Sequence, residues 1–128
     1  MSDAPISEYA LLSDCHGAAL VHRSGTIDWL CMPRFDAPAV FARLLDERAG
    51  SWAIRPVDDF SADRRYLDRS MVLETTFRTE SGTAVLTDAL DIGTDEAGHN
   101  LGSGAANAVL RQIECREGAV EIHIDYRP

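Results

Sequence analysis

The sequence predicts a mainly β protein, an antiparallel β-sandwich carrying one short helix. Three observations carry this expectation. Apolar and polar residues alternate with period two over most of the chain, short links containing glycine join successive alternating runs, and a helical stripe occurs at a single place. A chain of 128 residues with 45% hydrophobic and 26% charged residues has an ordinary globular composition. It can bury roughly two-thirds of its unfolded surface, enough for one sandwich core.

The elements follow in order. GAALVHR and TIDWLCM, on either side of Ser24-Gly25, are the arms of a hairpin. Strict alternation on the second arm puts Ile27, Trp29 and Cys31 on one face and Asp28, Leu30 and Met32 on the other. Both faces are apolar, which makes the arm covered on both sides and Trp29 a core residue. Pro33 ends the strand because it cannot donate to a ladder. Val40, Phe41, Leu44 and Leu45 then fall on one stripe of a short helix, with Asp36 as its N-cap, Pro38 in its first turn and Gly50 as its stop. Such a cap is worth about 1 kcal/mol, so Asp36 has a structural job available before any chemical one.

SWAIRPV reads as a strand ended by Pro56. MVLETTFRT and TAVLTDAL alternate on either side of Glu80-Ser81-Gly82, a hairpin with a bulge. Residues 93–106 are rich in Gly and Ala without either period, a long loop. ANAVLRQIECR and AVEIHIDYR form a third hairpin about Glu117-Gly118, with Glu121, His123 and Asp125 on a wet face. The count is about six or seven strands. The last strand has no closing partner, which leaves an edge through which two copies could pair as a homodimer.

Charge and composition exclude several classes. A net charge of −9 with no basic run argues against a nucleic-acid partner. All twelve cations are Arg, read here as codon preference. No apolar run is long enough for a membrane span and no basic leader precedes one, so no membrane partner is expected. Cys15, Cys31 and Cys115 are odd in number and widely spaced. They are expected to be reduced, buried thiols of a cytoplasmic protein. The four histidines have no metal-ligand spacing, and no nucleophile elbow, phosphate loop or dinucleotide motif occurs. No metal or cofactor is implied. Glycoside hydrolysis needs two opposed carboxyls, and nothing in the spacing of the aspartates marks such a pair. The residues alone therefore stop at a β domain without a visible catalytic motif.

The opening stretch adds more. Tyr9, Asp14-Cys15, Ala18-Ala19-Leu20-Val21, Gly25, Ile27-Asp28-Trp29-Leu30-Cys31, Pro33-Arg34-Phe35-Asp36, Pro38, Phe41 and Leu44-Leu45 resemble the beginning of the trehalase-like and glucoamylase-like proteins of glycoside hydrolase family 15. RRYLDRSMVLETTFRTESGTAVLTDAL and VEIHIDYRP are similar to later stretches of the same family. The departures are Gly17 for Thr, Ala37 for Ser, and the loop at 93–106. The resemblance implies that residues 1–128 are an incomplete N-terminal domain, part of a β-supersandwich. That domain would pack against a C-terminal (α/α)6 barrel, absent from these residues, which holds the two catalytic glutamates. It implies activity on α-glucosides only in the full-length protein, with no catalytic position here. The candidate substrate or domain-interface residues are Asp28, Arg34 and Asp36. Arg34 either forms an ion pair with Asp28 or Asp36, or reaches the barrel. The alternative is a stand-alone module that binds carbohydrate or another protein.

Overall fold

Wherever the sequence alternates with period two, the chain is strand. The computed structural model describes residues 5–13, 17–31, 38–68, 70–90 and 108–128. Among these residues, a 3-10 turn at Ile6–Glu8 is followed by ten strands. They are β1 (Tyr9–Ser13), β2 (Ala18–His22), β3 (Thr26–Cys31), β4 (Ala39–Phe41), β5 (Ser51–Pro56), β6 (Ser61–Tyr66), β7 (Leu73–Arg78), β8 (Gly82–Leu90), β9 (Val109–Gly118) and β10 (Ile122–Arg127). One sheet has the order β1-β2-β3-β5-β10 with β4 also on β3, and the other runs β6-β7-β8-β9. Every pairing among the described residues is antiparallel. The mainly β sandwich is thus present, with more and shorter strands than the sequence suggests.

The apolar faces of the two sheets meet in two clusters. One joins Leu12, Ala19, Val21, Ile27, Leu30 and Phe41 of the first sheet to Leu73 and Leu90 of the second. The other gathers Ile54, Ala62, Phe77 and Leu86. Trp52 packs against both. Burying each such large side chain contributes about 1.5–3 kcal/mol.

The expected short helix over Val40–Leu45 is not there. Val40 and Phe41 lie in β4, and turns carry the chain on toward β5. The reason lies in β3. Its first half pairs with β5 (Thr26 with Ala53, Ile27 with Trp52), while its second half is open on that side. Phe41 and Ala39 fill the opening, opposite Leu30 and Cys31. A β-branched and an aromatic residue suit this ladder better than a single helical turn. Leu45, which the helix would bury, is 76% exposed. Asp36, the proposed cap, lies outside the described residues.

Strict alternation also fails in β3. Val21 pairs with Ile27 but Leu20 pairs with Trp29, so Asp28 is the extra residue of a bulge. The bulge brings Ile27 and Leu30 to the same, core-facing side and puts Trp29 with Leu20 on the other. Trp29 and Trp52 are both half-buried, but it is Trp52 that packs against the two core clusters. The bulge expected in the β7–β8 hairpin lies instead on the other flank of β8, between Thr83 and Ala84 against β9. Of the cysteines, Cys31 is a buried free thiol but Cys115 is exposed, and Cys15 lies outside the described residues.

The third hairpin is replaced by a crossing. β9 pairs with β8, whereas β10 pairs with β5 in the opposite sheet. Gly118, at φ +61°, turns the chain out of the second sheet, and Ala119 donates to Ser81 O at 3.1 Å. Ile122 then joins the cluster around Ile54.

One ion pair spans the sandwich interior. Arg111 of β9 donates to Asp88 of β8 at 2.7 and 3.3 Å, and both side chains are fully buried. The same guanidinium donates to Trp52 O at 2.8 Å and Gly25 O at 2.7 Å in the opposite sheet, with its carbon 5.1 Å from the centre of the Trp52 ring. Gly25 must be glycine, because at φ +90° a Cβ would stand 2.1 Å from Ile54 O.

Two outcomes follow for stability in urea. Arg111→Met leaves a buried carboxylate without its cation and lowers stability by about 3–5 kcal/mol, and adding Asp88→Leu recovers part of that loss. Thr75→Val replaces a buried hydroxyl that has no hydrogen-bond partner among the described residues, so its unfolding midpoint equals or exceeds that of the parent chain.

Candidate functional site

The bulge at Asp28 organises the side of the first sheet that faces away from the second. The Asp28 carboxylate is buried, 3% exposed. It accepts the Tyr9 hydroxyl at 2.7 Å and an Arg43 N–H at 3.4 Å, while its backbone carbonyl accepts Leu44 N at 3.0 Å. One bulged residue thus ties β1, β3 and the β4–β5 connection together. Tyr9 also stands edge-on to His22, with ring centres 5.2 Å apart. His22 Nδ1 accepts Ser24 N at 3.1 Å, which places the ring proton of the neutral imidazole on Nε2. Burial holds the His22 pKa below its ordinary value, and the nearby Asp28 and Glu8 carboxylates partly offset this.

Beside this cluster runs a groove of about 450 Å³. Its floor is Thr26 and Ala53, and its walls carry Arg43, Arg48, Arg55 and Arg127 against Glu47 and Asp125. Among the described residues its lining has no aromatic ring on which a sugar could stack.

The remaining buried carboxylates among the described residues are Glu74 and Asp88. Glu74 meets Arg65 at 3.0 Å and Arg116 at 3.7 Å. Desolvation raises the Asp88 pKa, and Arg111 opposes that rise. Each buried carboxylate is therefore held by an arginine. A general acid needs a proton to give and a nucleophile needs a free face; the ion pairs suit structure better than either role. No group of three or more His, Cys, Asp or Glu that could hold a metal occurs among the described residues.

Of the sequence candidates, Asp28 is described, and among the described residues its side-chain partners are Tyr9 and Arg43. Arg34 and Asp36 lie outside the described residues. Sequence reasoning missed Tyr9, His22 and Arg43, which come together only through strand pairing, and the Asp88–Arg111 pair.

The family model for the trehalase-like N-terminal domain matches residues 1–124. The chain belongs to that family. The trehalase of Mycolicibacterium smegmatis is 37% identical over 97% of this chain, and that of Mycobacterium tuberculosis 35% over 97%. Trehalase 1 of Sulfolobus acidocaldarius is 48% identical over 55% of the chain. The trehalase-like domain spans only about a fifth of the two mycobacterial relatives, 20% of each. No solved structure matches it significantly. No helix among the described residues is long and apolar enough to cross a membrane.

The trehalase-like domain carries a pH signature at His22. Its folded pKa lies below the unfolded one, so the unfolded chain takes up a proton first as pH falls. The stabilisation is complete above about pH 6.5 and is lost on acidification through the folded pKa. His22→Asn keeps an acceptor for Ser24 N, and urea midpoints measured across this range should lose that part of the slope.

Proposed function

We propose that this chain is the non-catalytic N-terminal β domain of a glycosidase acting on trehalose or a related α-glucoside. The bond-cleaving carboxyls belong to a separate barrel of the same polypeptide. The observation that carries the reading is the match to proteins named trehalase over 97% of this chain but only 20% of their length. The arginine-held state of Asp28, Glu74 and Asp88 supports it, because none of the three is left to serve as acid or nucleophile. Within this proposal Arg34 and Asp36 remain candidate contacts to the barrel, while Asp28 has a structural role. A cytoplasmic location belongs to the same proposal, favoured by the free thiols of Cys31 and Cys115.

Self-association through the edge of β10 is a second proposal, favoured by Ile124 and Tyr126, which are 60% and 57% exposed.

Glucose release tests the main reading. A full-length parent protein should hydrolyse trehalose, and the 128-residue chain should release no glucose from trehalose or maltooligosaccharides. Turnover by the chain itself would overturn the proposal. Titrating trehalose, maltose and dextran against tryptophan emission should leave the signal unchanged; saturable quenching would favour a stand-alone carbohydrate-binding module instead.

A further inference from the structure

The turn between β2 and β3 is closed twice. The His22 carbonyl accepts Gly25 N at 2.9 Å, and the His22 ring accepts Ser24 N at 3.1 Å through Nδ1. Ser24 Oγ lies 2.9 Å from the same ring nitrogen and 3.2 Å from Thr26 Oγ1, which accepts an Arg55 N–H at 3.5 Å. The next residue carries the turn into the interior. Gly25 O accepts Ile54 N at 3.1 Å and the buried Arg111 guanidinium at 2.7 Å. An imidazole nitrogen thus holds one end of a turn whose other end meets the ion pair between the sheets.

Nδ1 can accept only while it carries no proton. The charged groups around the ring come from four elements. Glu8 in the 3-10 turn and Asp28 in β3 favour the imidazolium, while burial, Arg64 of β6 and Arg43 of the β4–β5 connection oppose it. Tyr9 of β1 supplies a ring edge. Burial dominates, so protonation belongs to the mildly acid range, below about pH 6.5.

We propose that His22 is a proton-operated latch: its neutral ring closes the β2–β3 turn, and its imidazolium releases Ser24 N–H and loosens the hold of Arg111 on Gly25 O. The proton comes from solvent and adds to Nδ1, while Nε2 keeps its own; no covalent bond breaks. Nδ1–H then donates to Ser24 Oγ, already 2.9 Å away. Ser24 N–H, left facing a donor, turns to water. The turn slackens at Ser24, and Gly25 follows because it is the next residue on the same short backbone. Gly25 cannot shift without moving an acceptor of Arg111, whose other bonds reach Asp88 and Trp52 O. A surface proton is in this way felt between the two sheets. The latch is independent of trehalose hydrolysis by a full-length protein, so the two readings fail separately.

Nitrogen-15 NMR of the 128-residue chain, titrated from neutral to mildly acid pH, tests the proposal. At neutral pH the His22 ring should carry its proton on Nε2. On acidification the His22 ring, the Ser24 amide and the Arg111 Nε–H signals should move with one shared midpoint. Protection of the Ser24 amide from exchange, corrected for the intrinsic pH dependence, should fall about tenfold across that step. His22→Asn offers an acceptor that does not titrate, so the Ser24 and Arg111 steps at that midpoint should vanish. Asp88, whose pKa burial raises, also faces Arg111; a step caused by Asp88 persists in His22→Asn and is told apart in this way. A neutral ring with its proton on Nδ1, measured on the parent chain alone, overturns the proposal. So does an Arg111 signal that has no step at the His22 midpoint, or one whose step there survives His22→Asn.

Discussion

A guanidinium in the middle of an apolar sandwich sets how its two sheets sit against each other. Arg111 spends its hydrogen bonds on Asp88 beside it and on the carbonyls of Trp52 and Gly25 across the interior. Apolar contacts alone tolerate sliding, since one methyl group packs nearly as well as the next. A planar fork whose donors must all find acceptors does not. A lysine ammonium could not span the same three acceptors with that geometry. Whatever codon preference underlies an all-arginine cation set, this position uses the guanidinium's shape. Arg23 and Arg64 do something similar at the margin of the sandwich. Arg23 reaches Ala62 O at 2.7 Å, and Arg64 reaches Val21 O at 3.1 Å.

That pair was partly visible in the sequence. Period two places Asp88 on the same face as Leu86 and Leu90, and Arg111 on the same face as Val109 and Ile113. An acid and a base, each on the apolar face of its strand, are a matched signal, because neither can be buried alone. What the sequence does not reveal is that β8 and β9 are neighbours with Asp88 opposite Arg111, a long-range register across residues 91–107.

The errors have a common cause. Alternation reports a strand but not its partners. The opening arm was legible as strand, yet a single bulge at Asp28 reversed the faces of everything after it, so Trp29 left the core and Leu30 entered it. Leu44 and Leu45 matched a helical stripe because that stripe can arise by chance over so few residues. The open half of β3 decided the matter for Val40 and Phe41. The site was less legible than the fold. Asp28 stood out from its neighbours' identities, but Tyr9, His22 and Arg43 become its companions only once three separate segments are folded together.

The crossing between β9 and β10 has a consequence for assembly in time. Among the described residues, each strand of the second sheet pairs with the one before it, and its longest connection, residues 91–108 between β8 and β9, is still far shorter than the span from β5 to β10. The first sheet is interrupted: β5 obtains its outer neighbour only after β6 to β9 have all been laid down. On a ribosome, the later-made sheet can therefore mature while the earlier one still lacks a strand. Closing a loop that long before its contacts form is slow. Until β10 arrives, the rim of β5 beside Trp52 stays open to any passing strand, which makes the nascent chain most vulnerable to mispairing at that one place.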